Sequence, residues 1–224
     1  MPLLRVGKND IVSKCPHLLE EWDYRRNTKR PNQCMVGSYK RAYWVCPNGH
    51  SYIATIASKT NFNRGCPFCS ASDFEKMAHD IINRIAVEYE CEYTPKDLSF
   101  RGRYDIHILE PEILIELDGI HHFKDYEYSG STYSSVEDVT RRDNIKSQYA
   151  FDHKIPLLRI PYIYRHDFEY LSYLLDCFIE NRVVPQNIIS FYDMHPTNNY
   201  SYLAEMQNAR YEEWEQLKIE GIDL

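Results

Sequence analysis

No run in this 224-residue chain is long and apolar enough to span a membrane. The N-terminus, Met1-Pro2-Leu3-Leu4-Arg5-Val6-Gly7-Lys8, lacks the apolar stretch of a secretory signal. No internal repeat and no low-complexity segment stands out. The seven cysteines are an odd number, and two of them form a Cys-x2-Cys. That suits a reducing compartment and a metal site better than a disulfide framework. A cytoplasmic, membrane-free protein of one or two domains is expected. At 43% apolar, 26% charged and 19 tyrosines, the composition is that of a globular chain.

The net charge of −7 is unevenly spread. Residues 1–70 hold 11 Lys+Arg against 4 Asp+Glu, and residues 71–224 hold 15 against 29. The first part can sit on a polyanion. It is poor in helical periodicity and rich in turns. Its pattern Cys46-Pro47-Asn48-Gly49-His50, then Cys66-Pro67-Phe68-Cys69, is Cys-x3-His, a gap, then Cys-x2-Cys. Four N/S ligands in two close pairs suit a closed tetrahedral Zn²⁺ site. Gly49 and Gly65 permit tight knuckles, and a closed site is structural rather than catalytic. Cys15 and Cys34 lack close partners and read as buried core cysteines.

Further residues of this part extend the pattern: Cys15-Pro16-His17-Leu18-Leu19-Glu20-Glu21-Trp22-Asp23-Tyr24, Tyr43-Trp44-Val45-Cys46 and Gly65-Cys66-Pro67-Phe68-Cys69. Over roughly residues 12–70 the chain resembles the zinc-ribbon (treble-clef-like) repeat of bacterial and phage proteins. The resemblance implies zinc on Cys46, His50, Cys66 and Cys69, together with nucleic-acid contact. Lys40, Arg41, Lys59 and Arg64 are the candidate phosphate partners, with scattered surface charge as the alternative.

Residues 71–182 read as a second domain, and 183–224 as a C-terminal helical extension. Ser72-x-x-Glu75 is a capping box. It opens a helix with Phe74, Met77, Ala78, Ile81, Ile82 and Ile85 at helical spacing. Strands are expected over residues 88–93, 100–108 and 113–118, followed by a tyrosine-rich loop over 124–136 with Tyr126, Tyr128, Gly130 and Tyr133. Ser135-x-x-Asp138 caps a second helix through about 153, and residues 155–162 form a buried strand closed by Pro161. Helix 166–182, a polar stretch after Pro185 and an acidic helix over 204–218 complete the chain.

The chemistry centres on Ile113-Leu114-Ile115-Glu116-Leu117-Asp118-Gly119-Ile120-His121-His122-Phe123. On a strand, Glu116 and Asp118 share one face. Pairing Leu109 with Glu112 across a turn at Pro111 sets Asp105 opposite Glu116, where like charges repel unless a cation intervenes.

The helix-βββ-helix-β order with these acids resembles the PD-(D/E)XK restriction-endonuclease-like superfamily over residues 72–165. Glu116-x-Asp118-Gly119-x-x-His122-Phe123, Arg142-Asp143-x-x-Lys146-x-x-Tyr149 and Ile155-Pro156-Leu157-Leu158-Arg159-Ile160-Pro161-Tyr162 look like a phage and giant-virus branch. That branch is related to very-short-patch repair endonucleases and to homing endonucleases with a Glu/Asp/His/Asp site.

The resemblance implies a Mg²⁺- (or Mn²⁺-) dependent endodeoxyribonuclease acting on double-stranded DNA as a monomer or homodimer. Asp105 and Glu116, with Asp118 as a possible third ligand, hold the metal. The usual Glu-x-Lys is here Glu116-x-Asp118, so the lysine is missing. His122 takes its role, or Lys146 reaches in from its helix, unless Lys146 merely pairs with Asp143. Asp143 orients His122 or assists the metal, Glu75 caps its helix or faces the site, and His121 is the spectator. The competing reading is an inactive DNA- or RNA-binding zinc protein or adaptor.

Overall fold

The structure is a computed structural model and describes residues 3–100, 102–124 and 135–219. It is a mixed α/β protein that divides into two compact units. Met1–Ala71 with Tyr89–Cys91 make the first, and Ser72–Glu88 with Glu92–Leu224 the second.

Unit one starts with α1 (Ile11–Lys14), capped by Asp10, whose Oδ1 accepts from Ser13 N at 2.9 Å. Two 3-10 turns, Pro16–Leu19 and Pro31–Gln33, lead to β1 (Arg41–Val45) and β2 (Ser51–Thr55). These two strands form an antiparallel hairpin from Arg41↔Thr55 to Val45↔Ser51. Two short helices follow, α2 (Ile56–Thr60) and α3 (Pro67–Ser70). A small core of Ile11, Leu18, Trp22, Trp44, Tyr52 and Ile56 fills the space between them, and Cys15 and Cys34 are buried in it as expected. Trp22 meets Trp44 edge to face at 5.1 Å. Such a pair adds about 0.5–1.5 kcal/mol beyond its buried area.

Unit two opens on α4 (Asp73–Ile85), whose capping box is formed: Ser72 Oγ accepts from Glu75 N at 3.2 Å, and Glu75 Oε2 accepts from Ser72 N at 2.6 Å. The helix buries Phe74, Ala78, Ile81 and Ile82. Then come β3 (Tyr89–Tyr93), β4 (Tyr104–Ile108), β5 (Ile113–Asp118), α5 (Val136–Asp152) and β6 (Leu157–Pro161). The first three residues of β3 belong to unit one, where Glu90 is paired in parallel with Ile53 of β2.

Strands β4 and β5 are antiparallel, with Ile106↔Ile115, His107↔Leu114 and Ile108↔Ile113. Continued by one residue, that register sets Asp105 opposite Glu116, as expected. Strands β5 and β6 are parallel, with Glu116↔Arg159 and Asp118↔Pro161. All six residues of β5 are buried, the mark of a central strand.

Helices α6 (Phe168–Asn181), α7 (Gln186–Asp193) and α8 (Tyr200–Ile219) close the unit. The stretch after Pro185 reads as polar in the sequence. It is instead a helix that buries Ile188, Ile189, Phe191 and Tyr192. Phe151 of α5 meets Trp214 of α8 edge to face at 5.4 Å, so the last helix packs on the helix that carries Asp143 and Lys146. Residues 125–134, with the tyrosines expected to form a loop, lie outside the described residues. Among the described residues, no helix is long and apolar enough to cross a membrane.

Candidate functional site

The hairpin of unit one brings the zinc ligands together. Cys46 follows β1, and its N–H donates to the His50 carbonyl at 3.0 Å, while Gly49 N donates to the Cys46 carbonyl at 2.8 Å. Gly49 sits at φ +84°, where a Cβ is strained, so this knuckle needs glycine. Gly65 has no such φ, and the second knuckle does not use its freedom.

Cys46 Sγ lies 3.4 Å from His50 Nδ1 and 3.9 Å from Cys69 Sγ. His50 Nδ1 is 3.4 Å from Cys69 Sγ and 3.7 Å from Cys66 Sγ. A tetrahedral zinc with Zn–S near 2.3 Å and Zn–N near 2.0 Å has edges of about 3.5–3.8 Å. Cys46, His50, Cys66 and Cys69 therefore form a closed zinc site. Burial, with the neighbouring thiols, pushes the Cys66 thiol up to about 12. A cation there reverses that, because thiolate is the ligand form. Asn48 Nδ2 donates to Cys69 Sγ at 3.2 Å as an outer support.

The expected phosphate partners fare unequally. Lys59 is a correction. It is buried, and its ammonium donates to Glu21 Oε2 at 2.7 Å and to the Tyr52 hydroxyl at 2.9 Å, so it holds α2 to the core. Arg41 is bound by Glu90 through two hydrogen bonds of 2.8 and 2.9 Å. The Arg64 guanidinium lies 5.9 Å from the centre of the Phe62 ring, and Lys40 is exposed.

Unit two carries two clusters of charge. The first is built around Arg159, a fully buried residue in β6. Its Nε and Nη2 donate to both oxygens of Asp118 at 2.8 and 2.7 Å, and Nη2 lies 2.9 Å from Asp143 Oδ1. The Tyr192 hydroxyl donates to Asp118 Oδ2 at 2.5 Å. Both oxygens of Asp118 are thus occupied, and the charge beside them is a guanidinium. Asp118, expected as a third metal ligand, is held by Arg159 and Tyr192. Asp118, His122 and Asp143 do lie close enough to hold an ion, and Arg159 supplies one positive charge between the two carboxylates.

Asp143 gives its other oxygen to His122, with Nδ1 to Oδ2 at 2.7 Å. Burial opposes the charge of Asp143, yet Arg159 and His122 hold its carboxyl well below the usual range. Burial likewise opposes the imidazolium of His122, but Asp118 and the Asp143 bond raise its pKa. His121 is exposed and outside this network. Gly119 brings the two histidines back over the strand end. A Cβ there would lie 2.8 Å from the His121 ring.

The second cluster is Asp105, Glu116 and Lys146. Lys146 Nζ reaches Glu116 Oε1 from α5, and its helix is tied to β4 by the Tyr104 hydroxyl donating to the Lys146 carbonyl at 2.7 Å. Lys146 thus points into the site and does not pair with Asp143. Asp105 Oδ2 accepts from Leu117 N at 2.7 Å. Burial raises Glu116 to about 8 against the pull of Lys146, with Asp105 adding to the rise. Burial also raises Asp105 to about 6, again opposed by Lys146. Two opposed carboxylates with a single cation are short of positive charge, and an oxygen-preferring divalent ion fits that donor set.

Two clefts of about 390 and 660 Å³ share Asp105, His121, His122 and Lys146 in their walls. The larger is also lined by Glu116 and Glu75, so Glu75 both caps α4 and faces the cleft. Sequence reasoning missed Arg159 and Tyr192. Arg159 was signalled by a charge inside a buried strand. Tyr192 carried no signal, because its segment reads as a polar stretch.

Two outcomes follow from these centres. Cys66→Ser abolishes the stoichiometric zinc measured by metal analysis, whereas Cys34→Ser retains it. Glu116 and Asp105 bind protons more tightly in the folded than in the unfolded chain, so the fold without added magnesium loses stability as pH rises from about 4.5 to about 8. Glu116→Gln removes most of that slope, on the order of a few kcal/mol, and melting curves of the zinc-loaded protein at pH 5 and pH 8 measure it.

A family model described as a probable treble clef zinc finger domain matches residues 18–72, a span that contains all four zinc ligands. No curated protein and no solved structure matches the chain. The N-terminal part is a treble-clef zinc module.

Proposed function

We propose that this chain is a metal-dependent DNA endonuclease that hydrolyses phosphodiester bonds, with the zinc module helping to hold duplex DNA. The observation that carries the reading is a pair of clefts that share Asp105, His122 and Lys146 in their walls, one adding Glu116 and the other Asp143. The helix-βββ-helix-β order, antiparallel then parallel, supports the restriction-endonuclease-like resemblance.

Asp105 and Glu116 are the residues that would hold Mg²⁺ or Mn²⁺. Such an ion, when bound, polarises the phosphoryl oxygen and lowers the pKa of water. Lys146, delivered from α5, supplies the positive charge that the strand motif Glu116-x-Asp118 lacks, and it stabilises charge on the phosphate. Asp143 holds His122 Nδ1, which leaves Nε2 for the substrate. Against burial, Asp118 and the Asp143 bond raise the pKa of His122, which suits it to donate a proton to the leaving oxygen. Glu75 adds negative charge at the rim of the same cleft.

Nicking of supercoiled plasmid by the zinc-loaded protein tests this reading. Cleavage requires added Mg²⁺ or Mn²⁺, Asp105→Asn and Glu116→Gln abolish it, and His122→Ala slows it by about 10²–10⁴-fold. Absence of metal-dependent nicking, or undiminished cutting by the Asp105 and Glu116 variants, leaves the inactive nucleic-acid-binding reading.

A further inference from the structure

The strongest positive charge of unit one lies apart from the zinc knuckles. Residues 24–30, Tyr24-Arg25-Arg26-Asn27-Thr28-Lys29-Arg30, contain four cations and no acid. Tyr24, Arg25, Arg26, Lys29 and Arg30 are all exposed.

The segment is a built turn. Asp23 Oδ1 accepts from Arg25 N at 2.9 Å and from Arg26 N at 3.1 Å. Asn27 clamps the turn to β1, with Nδ2 donating to the Tyr43 carbonyl at 2.7 Å and Oδ1 accepting from Tyr43 N at 3.0 Å. Arg26 lies over the Tyr43 ring at 4.0 Å and donates to Ser51 Oγ at 3.2 Å. The Arg30 guanidinium is 5.8 Å from the centre of the Tyr24 ring. A fixed backbone presents the cations together, which lowers the ordering cost of binding. Glu21, an acid just before the turn, is engaged by Lys59, and Asp23 Oδ1 is spent on backbone N–H groups.

We propose that the turn at residues 24–30 is the surface through which the zinc module grips the phosphate backbone of duplex DNA. Arg25, Lys29 and Arg30 make the contacts, and Arg26 braces the turn. The proposal rests on the reading that the module holds DNA. It replaces Lys59 and Arg41, whose charges are engaged inside the unit, as the principal phosphate partners. Duplex DNA is favoured over an acidic protein because closely spaced cations on a rigid turn match a regular line of phosphates.

The test is fluorescence anisotropy of a short random-sequence duplex with the full-length zinc-loaded chain, without magnesium, over a range of salt. Arg25→Ala/Lys29→Ala/Arg30→Ala weakens binding by at least about tenfold at low salt and makes the log–log salt slope shallower by about 2–3, near 0.9 per lost phosphate. Arg5→Ala/Lys8→Ala/Lys14→Ala removes the same charge from exposed positions of the same unit and changes affinity by less than about twofold. Arg25→Lys/Arg30→Lys keeps parental affinity and guards against misfolding, as does one zinc per chain in every variant. Equal weakening by the two alanine triples, or no weakening by the first, overturns the proposal. Plasmid nicking by the parent is scored separately. Loss of duplex binding in a chain that never nicks supports the turn and removes the nuclease, whereas unchanged binding in a chain that nicks removes the turn alone.

Discussion

A guanidinium with no exposed surface sets the terms for unit two. Moving Arg159 out of water costs several kcal/mol unless its charge and donors are fully met. They are met by Asp118 from β5, Asp143 from α5 and, more weakly, Ser147 Oγ at 3.5 Å. Tyr192 from α7 secures Asp118. Tyr200 from α8 donates its hydroxyl to the Leu157 carbonyl at 3.0 Å and accepts from Arg159 N at 2.9 Å. Because the ion cluster links two strands and three helices, these elements have one way to assemble. Truncating either carboxylate leaves a buried charge without its partner, so the cluster also specifies the position of α5, and with it His122 and Lys146.

The two charge clusters differ in balance. Around Arg159, two carboxylates meet a guanidinium and an imidazole whose pKa is raised, and the sum is near neutral. Around Lys146, two carboxylates share one ammonium, and both carboxyl pKa values rise. A site short of positive charge beside an open cleft is where a divalent cation lowers the free energy of the fold. The balanced cluster has no such need. Asp118 therefore serves Arg159, although it shares a strand and a face with Glu116.

Much of this was legible in the residues, for physical reasons. The strand of Ile113–Asp118 was evident because no surface strand is so apolar, and the short link at Pro111 fixed a register that opposed Asp105 to Glu116. The zinc ligands were legible because metal geometry restricts spacing so tightly. Side-chain partnership was not. Asp118 and Glu116 look alike in sequence, and only the parallel pairing with β6 brings Arg159 against one of them. Lys59 looked like surface charge, because nothing local shows that Glu21 waits for it across the hairpin. Tyr192 was hidden in a short helix whose apolar residues lie within a stretch that reads as polar.

The central claim is that Asp105 and Glu116, and not Asp118, hold the catalytic cation. Titration of Mn²⁺ into the zinc-loaded protein, followed by electron paramagnetic resonance, tests it most directly. The account predicts one Mn²⁺ per chain beyond the zinc, displaced by Mg²⁺ and lost in Asp105→Asn, with binding retained in Tyr192→Phe, which disturbs only Asp118. Undiminished Mn²⁺ binding in Asp105→Asn, or its loss in Tyr192→Phe with the fold intact, would contradict it.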